Sequence, residues 1–202
     1  MGQRRRVRDA YDDIAADYDA DRGTAGADVL RTLLDRLDPD SRVLDAGCGG
    51  GRVALEGLAE RHRAVGLDFS REQLRLAAEA GRGDEHVAGD MTHLPFADDS
   101  FDALTSLFAV IHVPTEEHAT VFSEFARVVR PDGWMLFNTG DQAWTGANDD
   151  WLETGTRMEW SYPAPAVTRE LVTDAGFVVE SVWSPEDEHG GPFPMLLARN
   201  EG

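Results

Sequence analysis

Short apolar runs and amphipathic helical periods alternate along this chain, and this alternation restricts its fold more than any other feature. Apolar strand-like runs occupy residues 42–46, 64–68 and 101–110, and residues 85–89 predict a short further strand. Strands that alternate with helices indicate β-α-β units, in which helices cover both faces of a parallel sheet. The sequence therefore predicts a doubly wound, Rossmann-like α/β fold with three layers, α/β/α.

The other predicted elements surround these four strands. They are helices over residues 11–18, 29–37, 52–61, 71–80, 115–129 and 168–175, and strands over residues 134–138, 177–183 and 194–199. Ser70 and Gln73 suggest a capping box, Thr115 is expected to cap the following helix, and residues 130–133 predict a turn. The last two strands are expected to form an antiparallel hairpin with an extended loop.

Length and composition favour a single intracellular domain. At 202 residues the chain fits one domain spanning 1–202. Cys48 has no second cysteine to pair with, so a reducing, cytoplasmic location is expected. The amino terminus has no signal-like apolar segment, and no run of eighteen apolar residues occurs, so we expect neither secretion nor a membrane span. The sequence does not indicate an oligomeric state.

The charge is strongly acidic. A formal net charge of -19 arises from 38 acidic residues against 19 basic ones, all of them arginine. Nucleic acids are bound mainly by cationic side chains, so this composition argues against a nucleic-acid partner. Two explanations for the composition stay open, which are adaptation to a high-salt cytoplasm and a codon bias that replaces lysine with arginine.

A glycine-rich loop follows the first predicted strand, in "VLDAGCGGGR". The dinucleotide pattern G-x-G-x-x-G is satisfied by Gly47 and Gly49 but fails at Arg52. A phosphate-binding P-loop requires a lysine, and the chain has none. Asp45 precedes the loop and would repel a phosphate but attract an ammonium group. The loop therefore predicts a ligand with a cationic end.

Acidic residues after the next two strands describe the rest of that ligand. Asp68 ends the second strand, where a carboxylate can accept both hydroxyls of a ribose. After the third strand, Asp90 can accept from the exocyclic amine of a purine while Met91 packs against its face. An amino acid, a ribose and an adenine together match S-adenosylmethionine.

These segments resemble the class I S-adenosylmethionine-dependent methyltransferases. The resemblance rests on "VLDAGCGGG", "VGLDFS", "GDMTHLPFADDSFDAL", "RVVRPDGWMLF" and the opening "YDDIAADYDADR". It covers roughly residues 9–138, and the order and spacing of the motifs make it specific. It implies a seven-stranded, mostly parallel sheet of order 3-2-1-4-5-7-6 with an antiparallel strand near the carboxyl terminus. It also implies an enzyme whose product is S-adenosylhomocysteine.

The resemblance implies roles for individual residues in holding the cofactor. Gly47 and Gly49 would line the methionyl portion, with Asp45 near the amino group. Asp68, followed by Phe69, would bind the ribose. Asp90 and Met91 would contact the adenine, and Leu107 would lie beside the sulfonium. The helices over 9–38 would cover the cofactor through Tyr11, Tyr18 and Arg22, and Arg22 is also a weaker candidate for binding the cofactor carboxylate.

Methyl transfer from a sulfonium depends mainly on alignment, so a catalytic base is optional. Orientation can supply about 7–11 kcal/mol, whereas a general base contributes roughly 10²- to 10⁴-fold in rate. His112 is the candidate base because it follows the fourth strand at the carboxyl edge of the sheet. Alternatively, His112 caps a helix or bonds a backbone carbonyl.

Residues 139–167 are expected to cover the methyl acceptor, because the periodicity fails there and aromatic residues accumulate. Trp144, Trp160 and Tyr162 are the candidate acceptor contacts, and the alternative is that their rings only fill the core of an irregular cap. No metal is expected, because adjacent carboxylates such as those in the acidic loop around His189 are usually solvated by water.

The predicted function is methyl transfer to O, N or C of a small, partly apolar acceptor. Two alternatives stay open, which are modification of RNA or protein and a non-catalytic module that only binds S-adenosylmethionine.

If the acidity is an adaptation to salt, the melting temperature should rise as KCl is increased from low to molar concentration. Screening would reduce the repulsion among the excess carboxylates. Differential scanning calorimetry at neutral pH measures this effect, and a flat or falling curve would contradict the hypothesis.

Overall fold

A computed structural model of the chain describes residues 2–187 and 191–202. Its strands, in chain order, are β1 (Arg42–Ala46), β2 (Arg63–Asp68), β3 (Glu85–Ala88), β4 (Phe101–Ser106), β5 (Val129–Asn138), β6 (Trp144–Trp151), β7 (Thr156–Tyr162), β8 (Phe177–Trp183), β9 (Glu186–Asp187), β10 (Gly191–Pro192) and β11 (Met195–Asn200). Its helices are α1 (Gln3–Asp13), α2 (Ala15–Asp21), α3 (Ala27–Leu34), α4 (Ala54–Leu58), α5 (Arg71–Glu79), α6 (His118–Val128) and α7 (Pro165–Asp174), with 3₁₀ turns at Val110–His112 and Thr115–Glu117.

Seven of these strands form one sheet in the order β3-β2-β1-β4-β5-β11-β8. The first five are parallel, whereas β11 is antiparallel to both β5 and β8. When only these seven strands are numbered along the chain, the order is 3-2-1-4-5-7-6, so the predicted topology is confirmed. The two final strands are neighbours and antiparallel, as expected.

Helices cover both faces of the sheet and bury two separate apolar clusters. On one face, Phe122 and Phe125 of α6 and Val172 of α7 pack against the sheet around Phe137. On the other face, the core is formed by α3, α4 and α5 with β1, through residues such as Leu33. This arrangement gives the three layers that the sequence predicts.

Two predicted boundaries around β4 and β5 are wrong. The strand expected over 101–110 ends at Ser106, because Phe108 has a left-handed backbone, with φ 57°, and cannot continue a strand. The turn expected at 130–133 lies inside β5. Phe101 pairs with Val129 and Ala103 with Trp134, so the intervening residues bulge out of the ladder.

Two predicted caps also differ from the structure. Ser70 Oγ accepts from the Gln73 backbone N–H at 3.2 Å, but the Gln73 side chain does not return to Ser70, whose N–H donates to Asp68. Thr115 does not cap a helix, since α6 begins at His118 and the Thr115 N–H donates to Ser161 Oγ instead. Half of the capping box therefore forms, and its other half is replaced by a contact to β2.

The segment 139–167 contains regular structure that the sequence did not indicate. Strands β6 and β7 form an antiparallel hairpin in which Trp144 lies opposite Tyr162. Met158 of this hairpin is fully buried against Val7, Ala10 and Ile14 of the amino-terminal helices. The hairpin therefore packs against α1 rather than against the central sheet. Within residues 2–187 and 191–202, no helix is both long and apolar enough to span a bilayer.

We expect Phe122→Ala to lower the free energy of unfolding by about 3–5 kcal/mol, because its ring is fully buried between the sheet and α6. Urea denaturation followed by circular dichroism measures the change. Val182→Ala, at a side chain that is 45% exposed, serves as the control and should change stability by less than about 0.5 kcal/mol. A loss below about 1 kcal/mol for Phe122→Ala would contradict this account of the core.

Candidate functional site

A cavity of about 920 Å³, which includes space open to solvent, lies at the carboxyl ends of β1, β2 and β4. Open α/β sheets bind their ligands at this edge. All the residues predicted to hold a cofactor line this one cavity: Tyr11, Tyr18, Arg22, Asp45, Gly47, Gly49, Asp68, Phe69, Asp90, Met91 and Leu107. Five separate chain segments therefore converge on the site that the motifs indicate.

The glycine loop passes too close to its neighbours for side chains to fit. The N–H groups of Gly47 and Cys48 donate to the Leu67 carbonyl at 2.7 and 3.0 Å, which fixes the turn against β2. A Cβ on Gly47, where φ is 81°, would lie 2.3 Å from the Ala109 side chain. A Cβ on Gly50 would lie 2.4 Å from Asp19 of α2. The loop therefore presents bare backbone to the cavity.

Asp68 connects the glycine loop to the start of α5. Its carboxylate accepts from the Gly49 N–H at 2.9 Å and from the Ser70 N–H at 2.8 Å, and only 6% of the residue is exposed. Burial raises the pKa of Asp68 to about 6, although these N–H groups oppose the shift. A hydroxyl-bearing ligand would reach a carboxylate that is already oriented.

Asp45 is a second buried carboxylate at the same edge. Thr105 Oγ1 donates to it at 2.8 Å, and 3% of the residue is exposed. Burial raises the pKa of Asp45 to about 7, and the nearby Asp68 adds to this rise. A cation bound beside these two buried carboxylates would stabilise their ionised forms, so the cavity favours a cationic ligand. This fits the cationic end inferred for the ligand.

Gln73 is a site residue that sequence reasoning missed, because it was interpreted only as part of a capping box. It is 1% exposed and lines the cavity, and neither its amide oxygen nor its nitrogen has a hydrogen-bond partner among the described residues. Its oxygen lies 3.5 Å from where a Cβ of Gly49 would stand. A buried amide without partners is costly, and a polar ligand beside Gly49 would satisfy it.

Asp90, which follows β3 and also lines the cavity, is held by its neighbours. Its carboxylate accepts from the Thr92 N–H at 2.9 Å and pairs with Arg4 of α1, another lining residue that the sequence did not single out. The methyl group of Met91 lies 3.2 Å from the position a Gly47 Cβ would take. Asp90 and Met91 thus border the cavity from the segment that follows β3.

The predicted first helix is divided into α1 and α2 at Ile14, and both parts cover the cavity. Ser70 Oγ donates to Asp12 at 2.6 Å, which docks α1 onto the start of α5. The rings of Tyr11 and Tyr18 meet edge to face with centroids 5.1 Å apart. Both tyrosines therefore lie over the site.

His112 is buried between α1 and the β6–β7 hairpin. Its Nδ1 lies 2.8 Å from the Glu159 carbonyl, which can only accept, so Nδ1 carries the proton. Its Nε2 then accepts from the Tyr11 hydroxyl at 2.9 Å. Burial lowers the pKa of His112 to about 4, so the ring is neutral at physiological pH. The expected alternative, a bond to a backbone carbonyl, is present.

A second cavity of about 710 Å³, which also includes open solvent space, adjoins the first, and we call it the aromatic chamber. The candidate acceptor contacts Trp144, Trp160 and Tyr162 all line it. Its other lining residues are Tyr11, Tyr18, Arg22, Phe108, Ile111, His112, Trp151 and Phe193. Five of the lining residues also line the first cavity, which we call the cofactor cavity. They are Tyr11, Tyr18, Arg22, Phe108 and His112.

Phe108 forms much of the wall between the two cavities. Its backbone is left-handed, which is rare for a phenylalanine, and its N–H is held by the side chain of the buried Asn138. Its ring contacts that of Phe193 at 5.7 Å, and the guanidinium of Arg22 stands 4.1 Å from its centroid. Sequence reasoning did not find Phe108, because only the break in β4 and its contact with β5 reveal its position.

Within the part of the chain that the structure describes, no group of three or more His, Cys, Asp or Glu side chains is placed to hold a metal. His189, in the acidic loop, lies outside the described residues.

Comparisons with known proteins identify the family. The chain matches a family described as "Methyltransferase domain" over residues 44–137. It is 31% identical over 193 residues to a putative methyltransferase of Encephalitozoon cuniculi, a match that covers 88% of this chain and 89% of that protein. The chain is a class I S-adenosylmethionine-dependent methyltransferase.

A solved methyltransferase structure illustrates the shared fold. The crystal structure of magnesium protoporphyrin IX methyltransferase from Synechocystis with bound S-adenosylmethionine has the same fold, with a TM-score of 0.77 and 19% identity over 99% of this chain and 98% of that one. S-adenosylmethionine is the cofactor of this methyltransferase and S-adenosylhomocysteine its product.

Another relative is the tRNA (carboxymethyluridine(34)-5-O)-methyltransferase of Arabidopsis thaliana, which is 28% identical over 192 residues, or 92% of this chain and 46% of that protein. The chain spans 41–46% of the length of several curated relatives that it matches. Activities of such longer proteins do not transfer directly to this methyltransferase.

Asp45→Asn should stabilise the ligand-free methyltransferase and weaken its cofactor binding. Asp45 has a pKa of about 7 in the folded chain, above the ordinary value of 3.8. Ionised Asp45 therefore destabilises the folded chain most strongly above pH 7, and this destabilisation declines as the pH falls toward 4. The free energy of unfolding should therefore rise by roughly 2–4 kcal/mol at pH 8 and by less at pH 5.5. S-adenosylhomocysteine should bind at least about tenfold more weakly.

Denaturant unfolding at both pH values and isothermal calorimetry measure the two effects of Asp45→Asn. Asp132→Asn, at an exposed carboxylate that pairs with Arg199, is the matched control and should change neither quantity. Unchanged stability together with unchanged affinity would show that Asp45 neither carries this burial cost nor faces a cation.

Proposed function

We propose that this methyltransferase transfers a methyl group to O, N or C of a small, partly apolar acceptor held in the aromatic chamber. The observation that carries the proposal is the shared wall of five residues between the cofactor cavity and the chamber. Apolar, aromatic cavities of this volume are typical of small-molecule sites. An acceptor in the chamber would approach the cofactor cavity without crossing the protein surface.

The cofactor cavity fits the groups of S-adenosylmethionine. Asp45 and the bare backbone around Gly47 suit the amino-acid end, and Asp68 with the unpartnered amide of Gln73 suits the ribose hydroxyls. Asp90 and Met91 border the end proposed for adenine, and Leu107 lies between the two ends. Phe69 and Tyr18 would close the cavity from the side of α2.

The chain contributes mainly alignment and exclusion of water. When bound, the cofactor supplies an electrophilic methyl group on a positively charged sulfur. The wall formed by Phe108, Tyr11 and His112 would hold the acceptor against the cavity, and such orientation is worth about 7–11 kcal/mol. The surrounding rings would exclude water from the reacting atoms.

His112 is proposed as the group nearest to the departing proton, where the acceptor has one to lose. In the described arrangement its Nε2 lone pair accepts from Tyr11, so an acceptor must replace that hydroxyl before His112 can act as a base. Burial also keeps the pKa of His112 near 4, far below the value at which a base is most effective. Alignment therefore carries more of the proposed catalysis than proton removal.

A second candidate is RNA modification, which the similarity to the Arabidopsis tRNA methyltransferase favours. The net charge of -19 opposes it, because phosphate binding requires a cationic surface. The third possibility, a module that binds the cofactor without catalysis, predicts a sealed or missing acceptor pocket. The aromatic chamber beside the cofactor cavity argues against that possibility.

Wild-type protein should bind S-adenosylhomocysteine in isothermal calorimetry, and two variants should bind it more weakly. Asp68→Asn should lose at least about tenfold, because a charge-assisted bond to ribose is removed, and Gln73→Leu about 2- to 10-fold. Asp132→Asn is again the control. No binding by wild type, or undiminished binding by both variants, would overturn the site assignment.

An activity screen then separates the candidate functions. Radiolabelled methyl transfer is measured to phenols, quinols, amines and carboxylic acids, and in parallel to tRNA. Transfer to a small molecule supports the proposal, transfer to tRNA alone supports the second candidate, and cofactor binding without any transfer supports the non-catalytic module.

A further inference from the structure

The chemistry of the aromatic chamber indicates which acceptors it suits, and this inference rests on the proposed function. The chamber walls are largely flat rings. Trp144 and Tyr162 have centroids 5.8 Å apart with planes inclined by 37°, and Trp160 and His112 are 5.7 Å apart at 38°. Other ring pairs of the chamber, such as Trp151 with Trp160, meet edge to face, so the chamber offers both faces and edges of aromatic rings, and such a lining favours a flat, conjugated molecule.

The chamber also has an entrance for such a molecule. Trp144 is 41% exposed, although its ring contacts both Trp160 and Tyr162. A large aromatic side chain that is exposed at the rim of an aromatic cavity is typical of a binding site rather than of a closed core. The rings therefore do more than fill the base of the hairpin.

The electrostatics of the chamber contrast with those of the whole chain. Although the chain carries a net charge of -19, none of the described residues that line the chamber is a carboxylate. Asp141, which influences Tyr162, is exposed and lies outside the lining. Arg22 is the single lining residue with a formal charge at neutral pH, since His112 is neutral.

Arg22 is positioned where the two cavities meet. Its guanidinium stands 4.1 Å from the centroid of Phe108, whose ring contacts Phe193 in the chamber. Arg22 has further interactions besides this ring contact, and a stacked guanidinium directs its N–H donors along its plane, in the geometry that matches the two oxygens of a carboxylate. The junction therefore suits an anionic oxygen.

The Tyr11–His112 pair adds a chemical restriction. Both ring nitrogens of His112 are engaged, one by the Glu159 carbonyl and the other by the Tyr11 hydroxyl. Among the described residues that line the chamber, His112 is therefore not available as a base for an acceptor that must lose a proton as it reacts. An acceptor that arrives already ionised avoids this requirement.

We propose that the acceptor is a planar aromatic molecule with an ionised oxygen, a carboxylate or an acidic phenol, which stacks in the aromatic chamber with that oxygen toward Arg22. A lone pair of the oxygen forms the new bond to the methyl carbon, and the carbon–sulfur bond breaks with its electron pair remaining on sulfur. The products are a neutral ester or ether and neutral S-adenosylhomocysteine, so no proton is released.

The test starts from protein that is saturated with S-adenosylhomocysteine in a calorimeter, so that cofactor binding, and with it the proposed function, is established first. 2-Naphthoate, the acidic phenol 2,4-dinitrophenol, 2-naphthamide, 2-naphthylamine and the saturated ring acid cyclohexanecarboxylate are then titrated in turn. We expect one of the two aromatic anions to bind at least tenfold more tightly than the amide, the amine and the saturated acid. The preferred anion identifies carboxylate or phenolate as the source of the ionised oxygen.

Two variants localise the effect. Arg22→Gln should weaken binding of the preferred anion at least tenfold while leaving 2-naphthamide within twofold of wild type. Arg199→Gln, an arginine that pairs with Asp132 on the far side of β5, is the matched control and should alter none of these affinities. With S-adenosylmethionine in place of the product, mass spectrometry should detect the methyl ester or ether of the preferred anion.

Several results would overturn the inference while the proposed function stands. They are equal binding of 2-naphthamide or 2-naphthylamine, no binding of either aromatic anion by protein that binds S-adenosylhomocysteine, or a loss of S-adenosylhomocysteine affinity in Arg22→Gln. The last result would assign Arg22 to the cofactor carboxylate instead. Failure of S-adenosylhomocysteine to bind the wild type would overturn the proposed function itself.

Discussion

The hydrogen-bonded series from Tyr11 through His112 to the Glu159 carbonyl holds together the three parts from which the site is made. Tyr11 belongs to the helix that covers the cofactor cavity, His112 follows β4 at the edge of the sheet, and Glu159 lies on the hairpin strand β7. Because the carbonyl can only accept, the orientation of every proton in this series is determined. One buried, uncharged imidazole thus fixes the cofactor cover, the sheet and the acceptor cover relative to one another.

The same site contains interactions that only a ligand would satisfy. Asp45 and Asp68 are buried with raised pKa values, and the amide of Gln73 lacks partners among the described residues. Each of these features costs stability in the ligand-free protein. A cationic, hydroxyl-rich ligand would relieve all three, so part of its binding energy comes from removing a penalty that the fold already carries. The buried polar groups that prepare the cavity for a ligand are therefore also the groups that lower the stability of the ligand-free protein.

The sequence predicted the sheet, and it predicted which residues meet at its carboxyl edge, because the determinants of both are local. Gly47, Asp68 and Asp90 each follow a strand directly, so chain order and strand alternation suffice to bring them to one edge. The hairpin over 144–162 was missed because β6 has no alternation of apolar and polar residues, although β7 alternates from Arg157 to Tyr162, and because Met158 is buried by α1 rather than by the sheet. Phe108 and Gln73 were missed for a related reason, since a left-handed backbone and an unpaired amide arise only from tertiary contacts.

This difference in origin explains why the cofactor can be identified from the sequence and the acceptor cannot. The cofactor cavity is built from motifs that adjoin β1, β2, β3 and β4, whereas the aromatic chamber takes residues from α1, α2, the end of β4, the hairpin and the segment before β11. Aromatic residues at such distant positions carry no spacing that could indicate a shared purpose. The pairing of β6 with β7 brings Trp144, Trp160 and Tyr162 into one wall, and the packing of the hairpin against α1 places that wall beside the cofactor cavity. If the proposed function holds, acceptor choice depends on this tertiary packing, and substitutions in the hairpin would change it without disturbing the cofactor motifs.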